Sequence, residues 1–289
     1  MTEGNRDSIR AVERAIDLIQ ALNARPVSTL HELHRDTGLP KPSIVRLLRT
    51  LEGKGLVAQA SSYGGYQLLD RIKSLSSGFH HEPLIVQFAE QILIEFTRRE
   101  GWPLALALFD RDAMVVRSST IPYTTLSLFH SHINKRLSMV HSAMGLAYLA
   151  HCSPSEQTII LEILKRSDDP IADPAGYGAS CKTVRSWDPA DALRSAIDQV
   201  RERGYATLDS MIDPRAATLA VPLMDSNRVV ASLGMTWIAV AMPLARAVDV
   251  YLPKLTETAA AISRELANRQ PDQIDLAAQL AHLQQVRPW

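Results

Sequence analysis

Two groups of histidines could in principle bind a metal ion. His31 and His34 flank Glu32 in the sequence His-Glu-Leu-His. A zinc-protease helix needs its two histidines four residues apart, on one helical face, and here they are only three apart. The second group is looser and consists of His130, His132, His141, His151 and Cys152. Its spacing fits no standard zinc site, so we expect no bound metal.

The sequence also lacks the common motifs of enzymes. It contains no Gly-x-Ser-x-Gly nucleophile elbow, no phosphate-binding P-loop and no Rossmann glycine set. Asp168, Asp169 and Asp173 lie in a stretch rich in proline and glycine, which is typical of a solvated loop. We therefore expect neither catalytic residues nor a cofactor.

Arginine and lysine side chains point to a different chemistry, the binding of nucleic acid. A helix is predicted from about Lys41 to Gly53, and its apolar residues are Ile44, Leu47, Leu48 and Leu51. The opposite face carries Ser43, Arg46, Arg49 and Thr50. The planar guanidinium of arginine matches guanine edges and phosphate oxygens. We predict DNA contacts by Lys41, Pro42, Ser43, Arg46, Arg49 and Thr50.

The elements around this helix have the order of a winged helix-turn-helix. An amphipathic helix over residues 8–24, with Ile9, Val12, Ile16 and Ile19 as its apolar stripe, precedes a capping box formed by Thr29 and Glu32. The second helix ends at Gly38. A hairpin of residues 56–58 and 66–69 follows, and its tip places Tyr63 near the DNA backbone or minor groove. The alternative is a small helical bundle with its arginines on a solvated face.

Composition and charge agree with a soluble protein of two domains. The 289 residues have a net charge of zero, with 46% hydrophobic and 21% charged residues. Residues 1–79 hold 11 lysines and arginines against 8 acidic residues. The two cysteines, Cys152 and Cys181, and the polar start favour a reducing compartment, and we expect a cytoplasmic protein. The apolar stretch 229–245 is expected to be a buried strand that runs into a turn, not a membrane helix.

Beyond residue 80, strands and helices alternate, which predicts an α/β (α+β) domain. A helix is expected over residues 83–99. Strands are predicted at 104–109, 113–117, 217–224 and 229–237, and helices at 142–152, 188–203 and 244–268.

Both halves of the chain contain motifs of a known kind: residues 39–52 with Lys54-Gly55-Leu56-Val57, Arg136-Leu137 with residues 142–150, and Arg203-Gly204-Tyr205-Ala206 with residues 219–223. These motifs resemble those of the IclR family of bacterial transcription regulators. The resemblance implies a winged helix-turn-helix over 8–79, a linker helix over 80–100 and a GAF-like effector-binding domain over 101–268. Residues 269–289 match nothing in the family, and we expect a mobile tail there.

The resemblance also implies an effector pocket for a small organic anion. Ala143 and Met144 match positions at the start of a helix, and Thr218, Gly234 and Thr236 match positions on two late strands. Met235 and Trp237 are expected to add apolar surface, and Arg117, Arg136 and His141 are the candidates to bind a carboxylate. The resemblance further implies that some relatives carry an acidic ligand at the position of Leu208 and a hydroxyl at that of Gly234. The pocket is thus expected to take a larger, more apolar acid.

Within the family, residues 112–117, Leu126-Ser127 and residues 134–152 resemble regulators of phenylpropionate and hydroxyphenylpropionate catabolism. We therefore expect a ligand-responsive regulator of an aromatic-acid catabolic operon. Its expected partners are double-stranded operator DNA, a small aromatic carboxylic acid, a second or further copies of the chain in a homodimer or homotetramer, and RNA polymerase if it is an activator. The alternatives are a metabolic enzyme and a protein-interaction module with a degenerate winged helix.

Overall fold

The structure, a computed structural model, describes residues 9–60, 64–78, 83–127, 133–166, 189–207 and 215–268. Contacts divide these residues into two compact units, one up to residue 78 and one from residue 83 onward. Each unit has a hydrophobic core of its own. None of the described helices is long and apolar enough to cross a membrane.

The first unit consists of three helices and a hairpin. Its elements are α1 (Arg10–Asn23), α2 (Leu30–Thr37), α3 (Lys41–Gly53), β1 (Val57–Gln59) and β2 (Tyr66–Leu68), followed by a 3-10 helix at Asp70–Leu75. The two strands are antiparallel, with Val57 opposite Leu68. Ser28, which precedes α2, pairs with Tyr66 and so attaches the hairpin to the helices.

Local interactions begin and end the helices of the helix-turn-helix at the residues where the sequence predicts them. The Thr29 hydroxyl accepts a hydrogen bond from the Glu32 amide, and the Glu32 carboxylate accepts one from the Thr29 amide at 2.7 Å. Gly38 ends α2 in the left-handed conformation, with φ of 67°. The predicted capping box and the predicted bounds of α3 are therefore confirmed.

The predicted apolar stripe of α1 is present, but only its C-terminal end, at Ile19, packs against the core of this unit. Ile9, Val12 and Ile16 are 68%, 52% and 50% exposed, whereas Leu18 and Leu22 are buried. Only the C-terminal half of α1 therefore packs into the core of this unit, and its N-terminal half extends past that core. An amphipathic pattern shows that a face is apolar, but it does not show what covers that face.

The second unit is an antiparallel six-stranded sheet with helices on both faces. The strands are β3 (Leu104–Asp110), β4 (Ala113–Ser119), β5 (Arg136–Ser138), β6 (Ala206–Thr207), β7 (Ala216–Asp225) and β8 (Arg228–Ile238), in the order β5-β4-β3-β8-β7-β6. The helices are α4 (Leu84–Glu100), α5 (Ala143–His151), α6 (Pro154–Arg166), α7 (Pro189–Arg203) and α8 (Leu244–Ala267). This arrangement confirms the predicted α+β class.

The two faces of the sheet pack against different helices. Helices α4 and α8 cover one face together with Leu104, Leu219 and Leu233. On the other face, α5 packs against the strands, and α6 and α7 belong to the same hydrophobic cluster, which includes Met114, Val116 and Ala220. We call the second one the α5 face. Because side chains alternate along a strand, each residue of β8 belongs to one face or the other.

Several elements differ from the sequence prediction. Helix α6 and the short strands β5 and β6 were not predicted from the pattern of the chain. The stretch 229–245 was predicted correctly as a buried strand that runs into a turn, since β8 occupies Arg228–Ile238 and a 3-10 helix follows at Ala239–Ala241. The predicted tail, residues 269–289, lies outside the described residues.

Candidate DNA-binding surface and effector site

Helix α3 has one buried and one exposed face. Ile44, Leu48 and Leu51 are buried in the core of the first unit. Arg46 and Arg49 are exposed on the opposite side. The further DNA-binding candidates Lys41, Pro42 and Thr50 are exposed and Ser43 is half-buried, while Tyr63 lies outside the described residues. The Thr50 hydroxyl donates to the Arg46 carbonyl at 3.0 Å, so its oxygen stays available as an acceptor.

The arginines of the first unit divide into paired and unpaired side chains. Arg25 and Arg35 both bind the carboxylate of Asp36, Arg25 at 2.5 Å and Arg35 at 3.0 Å. Burial tends to raise the pKa of Asp36, but hydrogen bonds from these two guanidinium groups outweigh it and hold the pKa below its usual range. Among the described residues, no carboxylate pairs with Arg46 or Arg49. Their guanidinium groups are therefore free to bind an external anion.

The turn before α3 is held by hydrogen bonds of its own. His34 Nδ1 lies 2.7 Å from the carbonyl oxygen of Leu39, and the Leu39 amide donates to the Thr37 hydroxyl at 3.2 Å. Pro40 is the N-cap residue of α3, and its carbonyl accepts hydrogen bonds from the amides of Ser43 and Ile44. The start of α3 is thereby fixed against α2, which is what a recognition helix needs in order to present side chains to a groove.

In the second unit, the start of α5 is anchored to strand β5. The Ser142 hydroxyl caps the helix by accepting from the Gly145 amide, and it donates to the Ser138 carbonyl at 2.6 Å. Gly145 lies directly against the backbone of Ser138 and Met139. The amides of Ala143 and Met144 belong to the first turn of the helix, where no intrahelical acceptor exists. This helix start can therefore attract an anion through those amides and the helix dipole.

The sheet beneath the start of α5 is lined by small and polar residues. Gly234 on β8 lies between Ala105 on β3 and Ala220 on β7, and these three residues are direct cross-strand neighbours. In the next pair on the same face, the hydroxyls of Thr218 and Thr236 lie 3.0 Å apart and both residues are half-buried. The structure thus brings Ala143, Met144, Thr218, Gly234 and Thr236 to one face.

Trp237 and Met235 do not belong to this group. They alternate with Gly234 and Thr236 along β8, so they point to the opposite face and pack with α4 and α8. The indole nitrogen of Trp237 donates to the Met242 carbonyl at 2.8 Å, and the side chain is 1% exposed. The expected contribution of Trp237 to the effector pocket is therefore corrected: Trp237 is a core residue.

The three candidates for binding a carboxylate have different surroundings. Arg136 forms ion pairs with Asp110, at 3.1 Å, and with Asp112. It is paired across the strands with Val115, which points away from the α5 face because its neighbours Met114 and Val116 point toward it. The structure therefore does not bring Arg136 to the α5 helix start, contrary to expectation.

Arg117 and His141 remain as candidates. Arg117 is half-buried beside a register shift between β3 and β4, and it donates to the Asn134 side chain at 2.9 Å. His141 immediately precedes the N-cap Ser142, and its amide donates to the Ser138 hydroxyl at 3.1 Å. Burial lowers the pKa of His141, so the imidazole is neutral at neutral pH. A bound carboxylate beside it would favour the charged form instead.

Sequence reasoning missed Ser232 and Ala105 on the α5 face. The Ser232 hydroxyl donates to the Met144 carbonyl at 2.8 Å and so connects β8 to α5. Ser232 could have been found from Gly234, because residues two apart on a strand share a face. Ala105 could not, since its pairing with Gly234 depends on the register of two strands distant in sequence. Leu208, His130 and His132 lie outside the described residues, and among the described residues no three potential ligands gather to hold a metal ion.

Comparison with known protein families identifies the family to which this two-unit chain belongs. The IclR helix-turn-helix domain matches residues 11–61, and the C-terminal domain of the bacterial transcriptional regulator IclR matches residues 80–264. The chain belongs to the IclR family. It is therefore a DNA-binding transcriptional regulator with an effector domain, and not an enzyme.

Individual known proteins and solved structures are similar to the chain over most of their length. The HTH-type transcriptional regulator XynR of Escherichia coli is 25% identical over 261 residues, 89% of this chain and 97% of its own. The Thermotoga maritima IclR crystal structure has a TM-score of 0.61 at 19% identity and covers 90% of this chain and 99% of its own. The crystal structure of an IclR homologue from Microbacterium hydrocarbonoxydans, complexed with 4-hydroxybenzoate, has a TM-score of 0.55 at 19% identity. The match covers 90% of this chain and 100% of the homologue's chain.

Proposed function

We propose that this IclR-family protein binds operator DNA through α3 and regulates an aromatic-acid catabolic operon in the cytoplasm, with a small aromatic carboxylic acid as its effector. The observation that carries the DNA-binding part is that Arg46 and Arg49 are exposed on α3 and form no ion pair with any residue that the structure describes. In this proposal both arginines enter the major groove. A protein-interaction module with a degenerate winged helix would have no use for two such arginines.

The other surface residues of the first unit have supporting roles in this proposal. Lys41 and Ser43 contact backbone phosphates at the start of α3, while Pro42 and Thr50 lie along the groove. Tyr63, at the predicted wing tip, contacts the backbone or minor groove. Phosphate contacts position the protein but carry no sequence information, whereas contacts to base edges do. Replacing Lys41 should therefore weaken binding to all sequences equally and reduce its dependence on salt.

Arg46→Ala tests the DNA-binding part. If Arg46 reads a guanine, its loss should cost about 1–3 kcal/mol at the cognate site and relax sequence preference there. Fluorescence anisotropy with the promoter region beside the gene measures this. Arg264→Ala, an exposed arginine of α8 in the second unit, is the matched control and should bind like the wild type. Wild-type affinity in Arg46→Ala would show that the major-groove assignment is wrong.

An aromatic acid fits the α5 face on three grounds. The helix start and the half-buried His141 offer partners for a carboxylate. Met144, with Ala105 and Gly234 beneath it, offers an apolar surface that suits a flat ring. Thr218 and Thr236 offer hydroxyls for a ring substituent. The related structure that carries 4-hydroxybenzoate holds an acid of this class, and the chain's resemblance to phenylpropionate regulators points the same way.

Calorimetry with four acids tests the effector. We expect 3-phenylpropionate or a hydroxylated relative to bind, and 4-hydroxybenzoate is the second aromatic probe. Pyruvate and glyoxylate serve as short controls. Binding of a two- or three-carbon acid, with no response to any aromatic acid, would refute the aromatic assignment.

We also propose that the protein is a homodimer or a pair of homodimers. Ile9, Val12 and Ile16 form an exposed apolar stripe on α1, and a second copy of the chain is the partner that would cover it. A symmetric dimer reads two half-sites and doubles the DNA contacts. Sedimentation at the monomer mass of 31.9 kDa would refute this. RNA polymerase becomes a further partner if the protein is an activator.

A further inference from the structure

The side chain of Met144 lies directly over Gly234. A Cβ atom added at Gly234 would meet Cγ and Sδ of Met144 at 3.0 Å and its Cε at 3.5 Å. These three atoms are its nearest neighbours, and all belong to the one flexible side chain. Met144 is only 4% exposed, so its thioether fills the space between the start of α5 and strand β8.

The backbone of Met144 is held in place from two sides. Its carbonyl accepts a hydrogen bond from the buried Ser232 hydroxyl on β8 at 2.8 Å. The next residue, Gly145, is packed against the backbone of Ser138 and Met139 and donates its amide to Ser142. The helix start therefore cannot move away from the sheet without breaking these contacts. The Met144 side chain, by contrast, has three rotatable bonds beyond Cα and adapts easily.

Among the residues that the structure describes, no other side chain takes over the space that Met144 fills. The cross-strand neighbours of Gly234 are Ala105 and Ala220, whose side chains end at Cβ. The large aromatic residues of this face, Phe109 and Tyr148, stack on each other with ring centroids 5.4 Å apart, toward the hairpin end of β3 and the C-terminal end of α5. Truncation of Met144 would therefore leave room directly beneath the helix start.

We propose that Met144 is the residue that sets the size of acid this protein accepts, with Gly234 providing the room into which its side chain fits. An acid anchored at the helix start would place its body against the Met144 thioether, and larger bodies would be rejected by it. This inference rests on the proposed effector site, and it names the residue that determines specificity there.

Three variants test the proposal: Met144→Ala, Gly234→Ala and the double variant. Calorimetry with pyruvate, 4-hydroxybenzoate, 3-phenylpropionate and biphenyl-4-carboxylate gives the size preference of each. Met144→Ala should gain at least about tenfold in affinity for biphenyl-4-carboxylate and lose about tenfold for the best wild-type acid, the scale expected for small volume changes in an apolar pocket. Gly234→Ala should weaken every acid, because its Cβ pushes Met144 into the remaining space.

The double variant separates this role from a structural one. Since the three atoms nearest to the added Cβ all belong to the Met144 side chain, removal of that side chain should restore the binding that Gly234→Ala loses. Met144→Leu, which keeps most of the volume, should fold and keep the wild-type preference, and circular dichroism of all variants checks folding.

Two kinds of failure can be told apart. An unchanged size preference in folded Met144→Ala, or no rescue in the double variant, would overturn the role of Met144 while leaving the aromatic effector intact. A changed affinity for pyruvate in Met144→Ala, with no binding of any aromatic acid to either protein, would support Met144 as the selector and overturn the aromatic assignment. Absence of binding to every acid, in the wild type and in Met144→Ala, would overturn both.

Discussion

Gly145 is the residue on which the junction of α5 and the sheet depends most directly. A Cβ at this position would lie 2.5 Å from the Met139 Cα and closer still to the carbonyl oxygens of Ser138 and Met139. All three are backbone atoms, and the Ser138 carbonyl is held by the Ser142 hydroxyl. None can shift cheaply. Gly145→Ala should therefore force α5 away from strand β5 and destabilise the second unit.

The size of this effect follows from two opposing contributions. Alanine is favoured over glycine inside a helix by about 1 kcal/mol. Overpacking in a close-packed region costs about 1–3 kcal/mol, and contacts with rigid backbone put Gly145→Ala at the upper end. The net loss in the free energy of unfolding is thus about 2 kcal/mol. For a unit of this size that lowers the melting temperature by about 4–8 °C.

Tryptophan fluorescence during urea unfolding reads this unit selectively. All four tryptophans, Trp102, Trp187, Trp237 and Trp289, lie beyond residue 78. The matched control is Gly53→Ala at the end of α3, where an added Cβ meets nothing within 4 Å, and circular dichroism should show it to be neutral or slightly stabilised. If Gly145→Ala were as stable as the wild type, the close approach of α5 to β5 would be wrong.

Three further changes in stability are expected. Thr97→Val removes a buried hydroxyl that lies 2.6 Å from the Thr120 hydroxyl and donates to the Trp102 carbonyl at 3.1 Å, so it should cost about 1–3 kcal/mol in urea unfolding. The Thr258 hydroxyl donates to the Lys254 carbonyl within its own helix and, among the described residues, to nothing else, so Thr258→Val should cost less; equal costs for the two variants would contradict this expectation. Thr29→Ala should lose about 1 kcal/mol from the first unit by circular dichroism, and no loss would show that the capping box contributes nothing. Burial tends to raise the pKa of Glu100, but hydrogen bonds from Lys254 and Arg99 outweigh it and lower the pKa. The stability this adds is present above about pH 4.3, the ordinary glutamate pKa, and is lost as the pH falls through the lowered value. Lys254→Met should therefore lower the free energy of unfolding at pH 7 and make it fall less steeply as the pH drops below about 4.3. An unchanged dependence on pH would show that Lys254 does not stabilise the Glu100 carboxylate.

The helix-turn-helix could be predicted because its signals are local. Thr29 and Glu32 are three residues apart, and Gly38 marks the end of α2 by its own backbone preference. The two faces of α3 follow from the spacing of its leucines and arginines. Each of these features depends on residues within one or two turns of a helix, so no tertiary information was needed.

The effector site was harder to predict because it depends on strand register. Trp237 and Thr236 are neighbours in sequence, yet they lie on opposite faces of the sheet, and a shift of one residue exchanges the two faces. The ion pairs of Arg136 with Asp110 and Asp112 depend on the pairing of β4 with β5. The contact of Met144 with Gly234 joins a helix to a strand far along the chain, and no spacing in the sequence reveals it.

The most direct test of the account is the affinity of the wild-type protein for its own promoter DNA, with and without an aromatic acid. Fluorescence anisotropy of labelled DNA at fixed salt gives both values. An acid that binds one arrangement of the protein better must change DNA affinity by the same factor by which DNA changes the affinity for the acid. We predict specific DNA binding that 3-phenylpropionate or a hydroxylated relative shifts at least about fivefold, the lower end of typical coupling between sites. Specific DNA binding that no aromatic acid alters, but that pyruvate or glyoxylate does, would contradict the account.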